Sequence, residues 1–96
     1  MTSASDLDDD LAPLPGGDGT PAIDFNTFVL SLSASCMIQL GDLASPGQVQ
    51  DLPGARQTIE ILQTLEKKTR GNLSGEEERV LHHVLHDLRQ RYITKI

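Results

Sequence analysis

Apolar residues recur along this chain in three blocks separated by turn-forming residues. The first, residues 23–41, reads IDFNTFVLSLSASCMIQLG. At about 100° per residue it sorts into two apolar faces. One carries Phe25, Phe28, Val29, Leu32, Cys36 and Leu40; the other carries Leu30, Ala34, Met37 and Ile38. Ser31, Ser33, Ser35 and Gln39 fall along the seams, and their small side chains allow a neighbouring helix to approach closely. Asp24 is placed to cap the orphan amide protons of the first turn, with Ile23 and Phe28 as a hydrophobic staple. Gly41 is placed to end the helix in a left-handed cap.

The second block predicts a helix over 52–70. Leu52, Ala55, Ile59, Leu62 and Leu65 recur at intervals of three and four, and Ile61 widens the stripe. Asp51 can cap it, and Pro53 is tolerated in the first turn, where its missing amide proton would be unpaired anyway. Arg56 with Glu60 and Gln63 with Lys67 are one turn apart on the solvent side. Lys67, Lys68 and Arg70 place cations at the negative helix end. The third block has the sharpest boundary. Ser74 and Glu77 match a capping box, and Glu76, Glu77 and Glu78 load the first turn with negative charge. Val80, Leu81, Val84, Leu85, Leu88 and Tyr92 form one narrow stripe. The short link after Arg70 makes these two helices an antiparallel hairpin, with Lys67 and Lys68 near Glu76 to Glu78.

Composition changes this picture at the N-terminus. Residues 1–22 are rich in Asp, Gly, Pro, Ser and Ala, which predicts a disordered acidic arm ahead of a helical domain over 23–96. The arm could screen the first helix or touch a basic partner. Its glycines do not match a phosphate-binding loop, because no Lys-Ser/Thr follows them. The chain of 96 residues carries a net charge of −6, and Asp6, Asp8, Asp9, Asp10 and Asp18 supply most of it. The remainder is nearly neutral. That balance argues against general nucleic-acid binding, which needs clustered Lys and Arg. A core built from about seventy-five residues is modest, and oligomerisation is a common remedy at that size. No basic segment followed by an apolar run opens the chain, so the expected compartment is the cytoplasm.

Candidate chemistry is sparse. His82 and His86 lie one turn apart with Glu78 a turn earlier, but zinc needs a third or fourth ligand, and no HExxH pattern or companion cysteine is present. His83 and Asp87 could orient an imidazole as a base, yet no nucleophile accompanies them. Cys36 cannot form an internal disulfide, since it is the only cysteine, and it reads as a small buried hydrophobe. We therefore expect no enzyme activity, no cofactor and no metal.

Three stretches together resemble a known family: FxxFVLSLSxSxxxxLG over 25–41, KTRGNLSxEEE over 68–78 and DLRxRY over 87–92. They are similar to the small bacterial proteins of the domain-of-unknown-function 1844 family, across about 23–92. The resemblance implies a compact helical protein with a variable N-terminal arm and supplies no activity. Cys36 and the three histidines stand outside that pattern.

The expectation is an all-α, three-helix arrangement whose first helix lacks any Lys, Arg or Glu between Asp24 and Asp42. Two modest companions leave part of so apolar a helix uncovered. A second copy is the favoured cover, making a homo-oligomer, with a dimer preferred, through Leu30, Ala34, Met37 and Ile38. An unidentified protein partner is the wider version of this reading. The competing readings are a helix wedged within its own fold, an RNA- or ribosome-associated protein using Lys67, Lys68, Arg70, Arg89 and Arg91, and a membrane-associated first helix. The last is disfavoured, because the apolar run falls short of the ~20 residues of a span.

Overall fold

The computed structural model describes residues 24–96, and the arm expected over 1–22, with Ile23 of the expected staple, lies outside them. Three helices follow in order: α1 (Phe25–Leu40), α2 (Leu52–Thr69) and α3 (Gly75–Ile93), with no strand among the described residues. Local chemistry sets their ends. The Asp24 carboxylate accepts from Thr27 N at 2.7 Å. Gly41 adopts φ +85, and the amides of Gly41 and Asp42 donate back to Ile38 O at 3.0 Å and Met37 O at 2.9 Å. This pairing satisfies carbonyls that would otherwise end the helix unbonded, and it needs the left-handed conformation that glycine adopts without strain. At α3, Glu77 N donates to Ser74 Oγ (3.2 Å) while Ser74 N donates to Glu77 Oε1 (2.8 Å), completing the capping box.

Each helix packs on both others. The C-terminal end of α1 meets the start of α2: Asp51 N donates to Gln39 O at 2.7 Å, and Gln50 Nε2 donates to Leu40 O at 2.9 Å. The same end meets the end of α3 through Asp42, which pairs with Arg91 (3.1 Å) and Lys95 (2.6 Å). The helices therefore run up, down and up, and α1 begins at the end of the bundle that carries the α2–α3 turn.

The core is aliphatic. Val29, Cys36 and Leu40 from α1 meet Ala55, Ile59 and Leu62 from α2 and Leu81, Val84, Leu85 and Leu88 from α3. The stripes expected for α2 and α3 are those buried, except that Ile61 stays exposed and Leu52, Leu65, Val80 and Tyr92 are only partly covered. Thr58 joins the buried set. Its hydroxyl lies 2.7 Å from Gln39 Oε1 and 3.1 Å from Gly54 O, so a polar group is buried with partners in hand.

Candidate interaction surface

Among the described residues, the rest of the chain packs against only one side of α1. Val29, Cys36 and Leu40 are fully buried, and Leu32 and Met37 pack against them. The opposite side presents Thr27, Leu30, Ser31, Ala34 and Ser35 to solvent, with Ile38 half-covered beside them. Phe28, grouped by periodicity with Val29, Cys36 and Leu40, is 44% exposed. It lies about 100° around the helix from the centre of the buried arc, at the edge rather than inside. Of the four residues expected at an intersubunit face, Leu30 is 53% exposed, Ala34 is exposed, Ile38 is half-buried, and Met37 is half-buried against the chain's own core. The three that remain on the outer side, with Phe28 as a flank, form an uncharged strip. Ser31 returns its hydroxyl to Thr27 O at 2.8 Å, so that donor is already used within the helix.

The cations do not gather into one patch. Arg70 is held by Glu66 one turn back, at 2.7 Å, and this partnership holds the Glu66 carboxyl below its usual range. Arg91 bonds Asp87 first and Asp42 second, which raises its own pKa. Asp87 therefore serves Arg91 and makes no hydrogen bond with His83. Among the described residues Lys67, Lys68 and Arg89 join no ion pair, so the pairs expected between Lys67 or Lys68 and Glu76 to Glu78 do not form. Gln63, expected beside Lys67, instead turns its amide oxygen to the Arg89 guanidinium at 2.8 and 3.2 Å when the amide is oriented to suit both groups.

His82, His83 and His86 are exposed, and His82 Nε2 stands 3.7 Å from Glu66 Oε1. Among the described residues no group of three or more His, Cys, Asp or Glu is arranged to hold a metal ion. Cys36 is buried, and its Sγ lies 3.6 Å from Ala55 O. Burial pushes its thiol up to about 11, far from the range of a nucleophile. No described helix is long and apolar enough to cross a membrane.

Over the described residues, fold and surface define a three-helix unit whose most distinctive exposed feature is an uncharged helix face. The family model described as "Domain of unknown function (DUF1844)" matches residues 22–94, and the chain belongs to that family. The match takes in all three helices. No curated protein and no solved structure matches the chain.

Proposed function

We propose that this chain is a non-enzymatic helical interaction module that pairs with a second copy of itself through the outer face of α1. One observation carries the reading: Phe28, Leu30, Ala34 and Ile38 border Thr27, Ser31 and Ser35 on a helix face without a charge. A surface helix of a monomer normally turns charged residues to water, as α2 does with Arg56, Glu60 and Lys67. Small side chains let two such faces approach closely, and the apolar flanks gain by leaving water. RNA association has weaker support, because two of the five cations it would use, Arg70 and Arg91, are already engaged by carboxylates.

Light scattering and sedimentation equilibrium on the whole chain test the proposal. The mass should rise toward two chains with concentration, and Leu30→Glu should hold it at one. Leu30 is the better probe because it is 53% exposed, so a charge there leaves the core untouched. A single-chain mass for the native protein from about 1 μM to about 1 mM, the range that spans weak specific pairing, would refute it.

A further inference from the structure

The side of the α2–α3 pair turned away from α1 holds a groove that self-association through α1 does not use. Thr58 and Gly54 face α1, whereas Ile59, Gln63 and Lys67 lie toward this groove, and Leu85, Arg89 and Tyr92 line it from α3. Its floor is apolar: Ile59 and Leu85 are buried and Tyr92 is half-buried. Its rim is cationic after cancellation. Arg56 is matched by Glu60 at 3.1 Å and Glu66 by Arg70 at 2.7 Å, which leaves Lys67 and Arg89 without a carboxylate among the described residues, beside His82 and His86.

We propose that the acidic segment 6–14 of the same chain docks in this groove. That segment reads DLDDDLAPL. Asp6, Asp8, Asp9 and Asp10 supply four carboxylates without a base, and Leu7, Leu11 and Leu14 supply apolar side chains for the floor. Opposite charge and an apolar floor are what such a segment requires. Reach is sufficient. Residues 15–23 join the segment to Asp24, and nine residues extend to about 30 Å. The chain enters α1 at the α2–α3 turn, and Lys67 lies two residues before the end of α2 at Thr69, only about 3 Å along the axis. The path around the bundle is then about one to two helix diameters, on the order of 20 Å.

Paramagnetic broadening in the whole chain tests this. A nitroxide on Ser5→Cys labels the segment's start, while native Cys36 is fully buried and stays unlabelled in the folded protein. The amide signals of Gln63, Lys67, His82, His86 and Arg89 should lose intensity at about 0.01 M salt. They should recover at about 1 M, where the screening length falls from about 30 Å to about 3 Å. The double variant Lys67→Glu/Arg89→Glu, with an otherwise unchanged amide spectrum, should abolish the loss. Broadening centred on α1, spread evenly over the chain, or absent would overturn the proposal. So would broadening seen only when labelled chains are mixed with isotope-enriched unlabelled ones, since the segment would then come from another copy. Docking is read within one chain, so it can fail while self-association holds, and the reverse.

Discussion

The Asp42 carboxylate, just past the cap of α1, receives Lys95 at 2.6 Å and Arg91 at 3.1 Å from the end of α3. It closes a contact between segments 49 residues apart in sequence. Lys95 first and Arg91 second hold its carboxyl below the usual 3.8. The folded chain therefore binds this proton less readily than the unfolded chain. The resulting stabilisation is fully present above the unfolded value and drains away as pH falls through the lower, folded one. Asp42→Asn should lower the urea midpoint at neutral pH, and the gap to the native protein should close in strong acid. A gap that persists unchanged in acid would mean that the amide is penalised for shape and not for lost charge. This clasp was not legible in the sequence. Asp42 and Arg91 are far apart along the chain, and the sequence offered Arg91 only as one of the cations of an RNA-associated reading. Thr58 escaped for the same reason, since the partner that makes its burial tolerable, Gln39, sits on another helix. Arg70 shows the converse: a cation expected only to complement the negative end of α2 folds back on Glu66, four residues away on its own helix, where the entropic cost of meeting is small.

Helix ends were readable because their chemistry is local. Asp24, Ser74 and Gly41 each act within four or five residues, and each does in the structure what its position implied. Gly41 allows a quantitative check. Its φ of +85 costs an L-residue about 1–2 kcal/mol. A Cβ there would meet Gln50 Nε2 at 3.4 Å, an ordinary contact, so the penalty is conformational and not steric. Gly41→Ala should thus lose about 1–2 kcal/mol in urea denaturation, and Gly41→Asn should lose less, because asparagine tolerates the left-handed region better. Equal losses for both variants would point to crowding by Gln50 instead. The inner faces of α2 and α3 were also plain, since each carries one apolar stripe. For α1 the sequence showed two apolar faces and no charge to choose between them. Val29, Cys36 and Leu40 turned inward, and Met37, counted with the outer set, lies near enough to the boundary to pack inside.

At the scale of the whole molecule, the size of α1 limits how tightly two copies can pair. Sixteen residues make a helix about 24 Å long and about 10 Å across. One such face against its twin buries on the order of 800 Å² in total, below the ~1,200–2,000 Å² of stable complexes. Pairing through α1 alone is therefore expected to be weak, with a micromolar or higher dissociation constant, and to show as a concentration-dependent midpoint more readily than as a fixed dimer. Unfolding that separates two chains responds to mass action. Each tenfold rise in concentration adds about 1.4 kcal/mol to the stability of the pair. For a unit of roughly 150 residues this raises the thermal midpoint by roughly 3–6 °C per decade once the native state is mostly paired. Leu30→Glu should flatten that dependence and leave the low-concentration midpoint in place, because the residue touches water and not the core in the single chain. If the variant instead lowers the midpoint equally at every concentration, Leu30 supports its own fold, and the outer face of α1 is a wet surface without a copy to cover it.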